Sequence, residues 1–242
     1  MYNYIGMGVL TARNIDLKRK VKFKLRKKDK RKQPIKNKEI LAGRLYSDFK
    51  ALGLDTCGFA EMDTVISAEG SLKCILTFCL PDTELLLAFL LNRCTEGAVR
   101  AVFDRLEKAL GTYDFLRLFS VILTDRGSEF GDPVSLETGL YGIERTSIYY
   151  CDPMSSGQKG AIEEAHTMLR MIIPKKTVFE GLTQWDLKKA VNHINSTPRE
   201  ALKGSTPYDL TVEKYGIDIV NTLGLNKIAP ADVTLTPKLL KK

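Results

Sequence analysis

The stretch "VILTDRGSEF", residues 121–130, opens as a strand and then turns abruptly acidic. Val121, Ile122 and Leu123 head for a core, yet Asp125, Gly127 and Glu129 follow at once. Two readings of that ending are open. Aspartate and glycine are ordinary turn residues, and many strands finish on them. Alternatively, the strand is a rigid mount that presents the Asp125 carboxylate for chemistry. What surrounds the stretch decides between them.

Ahead of it, residues 95–110 predict a helix, with Thr95 placed to cap it and Val99, Val102, Phe103, Leu106 and Leu110 forming an apolar stripe. Before that helix come three strand candidates, residues 58–66, 72–80 and 85–91, with turns at Glu69-Gly70 and Pro81-Asp82. Beyond the stretch lie a polar loop and a fifth strand at residues 147–151. Residues 156–173 then predict a long helix that buries Ile162, Ala165, Leu169 and Ile172. A further helix spans residues 183–195, where Thr183 and Asp186 suit a cap. Three strands, helix, strand, strand, helix is an α/β pattern: a mixed five-stranded sheet flanked by helices. It is also the element order of the ribonuclease-H-like fold.

The chain has 242 residues, 44% hydrophobic and 27% charged, which suits one sizeable core with a tail. The longest apolar run, "LLLAFLL" at residues 85–91, is strand length and too short to span a bilayer. No secretory signal is expected, and the expected address is the cytoplasm. The five cysteines are an odd number without C-x-x-C spacing, so they read as reduced, buried apolar residues. Net charge is +8, but residues 18–38 hold 13 Lys or Arg and one Asp, so the rest of the chain is net −4. A basic run of this kind attracts a polyanion by counterion release. DNA is the expected partner; a solvated run with no partner and an anionic membrane surface are the competing readings, and no lipidation signal favours the membrane. Within the run, Lys20, Lys22, Lys24 and Arg26 alternate with Val21, Phe23 and Leu25. The expected layout is a basic arm and linker over residues 1–50, a core over 51–178 and a helical extension over 179–242.

In the first strand, alternation puts Phe59, Glu61, Asp63 and Val65 on one face. An aspartate in mid-strand is costly to bury unless it is paired or binds a cation. On the long helix, Lys159, Glu163, His166 and Arg170 fall on one stripe beside the apolar one. Asp63, Asp125 and Glu163 can therefore converge on one point, and three like charges there call for a neutralising cation. Hard oxygen ligands select Mg²⁺ or Mn²⁺. Two such ions about 4 Å apart activate an attacking oxygen and stabilise a leaving one at phosphorus. Three unrelated surface acids are the alternative.

The residues "EMDTV" (61–65), "LTDRGSEF" (123–130), "CDPMSSGQKGAIEEAH" (151–166) and "HINSTPREALKGSTPYDL" (193–210) resemble the integrase-type catalytic core of insertion-sequence transposases, the IS-thirty (insertion sequence thirty) family above all. The similarity runs from about residue 55 to residue 210, and "LTARNIDLKRKVKFKLRKK" (10–28) resembles that family's linker. It implies a ribonuclease-H-like, retroviral-integrase-type fold. It also implies a catalytic and metal-binding triad of Asp63, Asp125 and Glu163, with Glu164 the neighbouring ambiguity. The implied reaction is metal-dependent cleavage at element ends followed by strand transfer into target DNA, with two Mg²⁺ or Mn²⁺ ions and a homo-oligomer assembled on DNA. Lys18, Lys20, Lys22, Lys24, Arg26, Lys27, Lys28, Lys159, His166 and Arg170 are the expected DNA contacts; for Lys159 and Arg170 a solvated helix face is the other reading. Gly127 reads as a close turn beside the site, Glu129 as a surface or hydrogen-bonding residue, and Trp185, Tyr149 and Tyr150 as core.

Three departures from that pattern stand out. The family's helix-turn-helix region is expected to be missing ahead of the linker. Arg126 stands where asparagine is usual, and Gly157 where an aromatic residue is usual in "SSWQKG". These support a second expectation, a truncated and inactive DNA-binding remnant that interferes with intact copies. A nuclease of the same fold without strand transfer is a third.

Overall fold

The computed structural model describes residues 7–11, 39–54 and 58–240. The chain falls into two compact units, Met1–Lys32 and Gln33–Lys242. Of the first, the described residues form a turn in which Gly8 takes a positive φ of 73°.

The second unit is built on five strands: β1 (Ala60–Ile66), β2 (Cys74–Leu80), β3 (Leu85–Leu91), β4 (Val121–Thr124) and β5 (Ser147–Tyr150). Their order in the sheet is β3-β2-β1-β4-β5. The first three pair antiparallel, whereas β4 lies parallel to β1 and β5 parallel to β4. This is the expected mixed α/β sheet with ribonuclease-H-like topology. The helices are α1 (Tyr46–Ala51), α2 (Glu96–Phe119), α3 (Pro133–Glu137), α4 (Gly160–Ile172), α5 (Gln184–Asn195), α6 (Pro207–Tyr215) and α7 (Ile217–Thr222).

Helix α2 covers one face of the sheet, where Phe78 of β2 meets Phe103 and Phe119. It runs past the expected end at Leu110. Gly111 breaks the helical path with φ 75° and ψ 160°, and the chain then resumes to bury Phe115, Leu118 and Phe119. Helix α4 covers the opposite face, and it begins at Gly160 rather than at Ser156, whose stretch to Gln158 is a 3-10 turn. Phe179 and α5's Leu187, Val191 and Ile194 share the same apolar core as β1–β3.

Both sheet edges are closed, β3 by side chains and β5 by a side chain and a backbone carbonyl. On β3, the Asn195 amide exchanges two hydrogen bonds with Leu86, at 3.0 and 2.9 Å, and the Gln184 amide bonds Leu90 N–H and Ala88 C=O. On β5, Glu137 accepts the Ile148 N–H and the Arg44 carbonyl accepts the Tyr150 N–H. Such pairing removes the open template that an edge strand otherwise presents. Among the described residues, no helix is long and apolar enough to cross a membrane.

Candidate active site at the seam of β1 and β4

The parallel pairing of β1 and β4 ends at Met62 opposite Thr124. The next residues on the two strands are Asp63 and Asp125. Neighbouring strands lie ~4.8 Å apart, so the register sets these two aspartates side by side. β4 stops there while β1 continues to Ile66, and ligand sites in such sheets lie where strand ends diverge. Each carboxylate is braced by backbone. Asp63 Oδ1 accepts the Thr64 N–H at 2.7 Å, and Asp125 Oδ1 accepts the Gly127 N–H at 3.0 Å. The Asp125 turn is thus real, and it fixes the carboxylate at the sheet's end.

Glu163 is exposed and sits in the first turn of α4, where the helix dipole favours an anion. That turn is anchored from β1. Glu61, 4% exposed on the same strand face as Asp63, accepts the Ile162 N–H through Oε2 at 2.7 Å. Burial pushes the Glu61 carboxyl up to about 7, opposed by the Ile162 N–H and the Lys159 charge and reinforced by Glu163. Glu61 was not among the expected site residues. Alternation had already put it on Asp63's face, which was the available signal. Glu164, also exposed, lines a cleft with Tyr46, Phe49, Glu61 and Glu84.

Lys159 was expected on a DNA-facing stripe. It is instead 5% exposed, with Nζ 3.1 Å from the Met62 carbonyl oxygen and 3.4 Å from Asp63 Oδ2. The residue is the N-cap of α4, and its long stem turns down onto the sheet. His166 is half-buried, with Nε2 2.8 Å from the Thr77 hydroxyl. That hydroxyl donates to the Asp63 carbonyl, which leaves it to accept from Nε2–H. His166 therefore braces Asp63's backbone through Thr77. Arg170 lies further along α4, half-buried. Lys18, Lys20, Lys22, Lys24, Arg26, Lys27 and Lys28 lie outside the described residues.

Gly127 makes room for a carboxylate: a Cβ there would come within 2.7 Å of Glu129 Oε2. Glu129 is 2% exposed, not a surface residue, and accepts the Thr64 hydroxyl. Thr64 leaves β1 on the opposite face from Asp63. Arg126 donates through Nε to the Cys151 carbonyl at 3.1 Å and faces Asp152 at 3.6 Å, so it ties β4's end to the loop entering α4. Gly157 has open space around its Cα. Tyr150 is fully buried and Tyr149 half-buried, as core residues, but Trp185 is 68% exposed with the Lys189 ammonium over its ring. Cys74, Cys79 and Cys151 are buried free thiols, whereas Cys94 is only half-buried; Cys57 lies outside the described residues.

One more group reports on the convergence. Burial pushes the Cys151 thiol up to about 12, with Lys159 opposing and Asp125, Glu61 and Asp63 adding to the rise. Asp125, Glu61, Asp63 and Lys159 thus all lie within electrostatic reach of Cys151. The aspartate pair suits a hard divalent cation in donor chemistry. Among the described residues, no three carboxylate, imidazole or thiol groups are gathered closely enough to close round an ion.

No protein-family model matches the chain. It is 33% identical over 88 residues to the transposase InsI for insertion sequence element IS30A of Escherichia coli, a match covering 36% of this chain and 21% of that protein. It is 27% identical over 202 residues to the "Probable transposase for insertion-like sequence element IS1161" of Streptococcus salivarius, covering 82% of this chain and 54% of that one. The chain therefore spans about a fifth of the first relative and about half of the second. Among solved structures, the catalytic core domain of BIV integrase aligns with a TM-score of 0.46 at 18% identity, over 65% of this chain and 95% of that one. The chain is thus similar in sequence to IS30-type and other insertion-sequence transposases.

Proposed function

We propose that this chain carries the polynucleotidyl-transferase core of a DNA transposase, with Asp63, Asp125 and Glu163 as its catalytic carboxylates. The observation that carries this reading is the placement of Asp63 and Asp125 side by side where β1 and β4 part, with Glu163 on the helix clamped to the same strand face. A divalent ion held by Asp63 and Asp125 would supply charge to polarise the scissile phosphate and the attacking oxygen. The chain's own residues prepare the place. Thr64 and Gly127 N–H groups orient the two aspartates, and Glu61 fixes the entry of the Glu163 helix. Arg126, held by Cys151 and Asp152, keeps the loop before α4 next to β4's end. The basic run at residues 18–38 then serves as a sequence-independent DNA anchor, and the working assembly is a homo-oligomer on DNA.

The test is cleavage and joining of DNA ends taken from the gene's own flanks, with Mn²⁺, comparing the chain with Asp63→Asn, Asp125→Asn and Glu163→Gln. Each substitution should lower cleavage by about 10³-fold or more, the scale of losing a charge contact made in the transition state, while DNA binding and melting temperature hold. Full cleavage by any one variant removes that residue from the triad. DNA binding without cleavage by the unmutated chain would favour the inactive remnant, and cleavage without joined product would favour a nuclease.

A further inference from the structure

Lys159 is a buried charge that the proposed reaction leaves without a task. Lysine is almost never so deeply buried unless it is paired, and here it is 5% exposed. Its partners define its place. The Met62 carbonyl oxygen that it reaches at 3.1 Å also accepts the Thr124 hydroxyl at 3.1 Å. The ammonium therefore sits on the seam between β1 and β4, at the point from which Asp63 and Asp125 emerge. It faces Asp63 Oδ2 at 3.4 Å, and no other salt bridge of Lys159 is found among the described residues. An ammonium and a divalent ion seek the same carboxylate lone pairs, and a fixed positive charge repels a second one nearby.

We propose that Lys159 is the resident counter-ion of Asp63: a positioning residue that holds this aspartate while no divalent ion is bound, and that a divalent ion must displace. The inference rests on the transposase reading for the identity of Asp63 as a metal ligand. It explains why the helix that carries Glu163 starts with a lysine turned inward. It also explains how an aspartate in mid-strand stays folded before metal arrives. Removing the ammonium should have two opposed effects: the metal-free chain loses stability, and the metal binds more tightly.

The experiment uses the full chain and Mn²⁺ alone, without DNA. Melting is followed in a chelator, and Mn²⁺ binding by the electron paramagnetic resonance of the free ion. Lys159→Met should lower the melting temperature in chelator by about 10 °C and lower the half-saturating Mn²⁺ concentration by about tenfold. Lys159→Arg, which keeps the charge, should bind Mn²⁺ as the unmutated chain does. Should Lys159→Met fail to fold in chelator, Lys159→Gln retains a donor for Met62 without the charge and should show the same tightening. In an Asp63→Asn background the loss of melting temperature caused by Lys159→Met in chelator should shrink, an outcome that a lysine serving only the Met62 carbonyl would not produce. Unchanged or weaker Mn²⁺ binding in the neutral variants overturns the inference, as does a chain that binds no Mn²⁺ in any variant. Neither result touches the cleavage comparison with Asp125→Asn, which judges the transposase reading separately.

Discussion

Helices α4 and α5 are nearly equal in length, 13 and 12 residues, and each packs an apolar face on the sheet, yet they begin in opposite ways. The first N–H groups of any helix need partners from outside it. α5 supplies its own. Thr183 Oγ1 accepts the Asp186 N–H and Asp186 Oδ2 accepts the Thr183 N–H, a closed exchange within four residues. α4 has no side-chain cap at Lys159 and starts on a glycine. Its Ile162 N–H goes to Glu61, 101 residues earlier in the chain. A helix capped by its own sequence can be placed anywhere its apolar face fits. A helix capped by a strand is registered to that strand. For α4, that strand is the one carrying Asp63, so Glu163 and Asp63 are held to one frame.

Glu61 is the place to break this comparison. Glu61→Leu removes the acceptor and leaves the Ile162 N–H buried without a partner. Cleavage should fall by about 10- to 100-fold, the usual scale for a residue that orients a ligand from behind. Glu61→Gln keeps an acceptor oxygen and should restore most of that loss. Single-turnover cleavage rates of the two variants check the expectation. Equal losses in Leu and Gln would mean that the charge of Glu61 matters and its bond to α4 does not.

The same contrast explains which parts of the molecule were legible in the sequence. β3 falls where its apolar run and flanking turns put it, and β1 and β2 differ from expectation only at their starts. α5 was legible because its cap is local. The second half of α2 was not: a glycine after Leu110 reads as a stop, and the resumption depends on Phe115 and Phe119 finding Phe103 and Phe78. For the candidate site, the strand-end position of Asp125 and the face shared by Glu61 and Asp63 could be read from alternation. The inward turn of Lys159 could not, because a lysine on a helix edge has the same local pattern whether its ammonium meets water or a carbonyl 97 residues away. Trp185 failed for the converse reason. Its place in α5's first turn suited a core residue, but Leu187, Ala190, Val191 and Ile194 already fill the buried face.

Thr183→Ala sharpens the comparison from the other side. It deletes the local cap of α5, and losses of this kind cost about 1 kcal/mol, or ~2–4 °C for a chain of this size. Thermal melting should show that shift while the cleavage rate stays unchanged. A cap lost from α5 should weaken the scaffold only, whereas the anchor lost from α4 should weaken the chemistry.

The far end of α5 gives the smallest effect, and it is set by pH. Three acceptors there gather the C-terminal segment: Asn192 takes the Asn226 N–H, Ser196 the Ile228 N–H, and His193 Nδ1 the Thr234 N–H at 3.1 Å. Only the histidine among them titrates near neutral pH. Burial lowers its value below the usual 6.5, Lys189 lowers it further, and Asp232 opposes them. A histidine whose folded value is depressed stabilises the fold fully above its unfolded value. That contribution is lost as pH falls from about 6.5 towards the folded value, because the unfolded chain takes the proton first. Protonation also fills the lone pair that accepts Thr234. The Thr234 amide should therefore exchange with solvent faster, relative to the Asn226 amide, at pH 5.5 than at pH 7.5. In His193→Gln that pH dependence should disappear, whereas its persistence would place the titrating group elsewhere on the C-terminal segment.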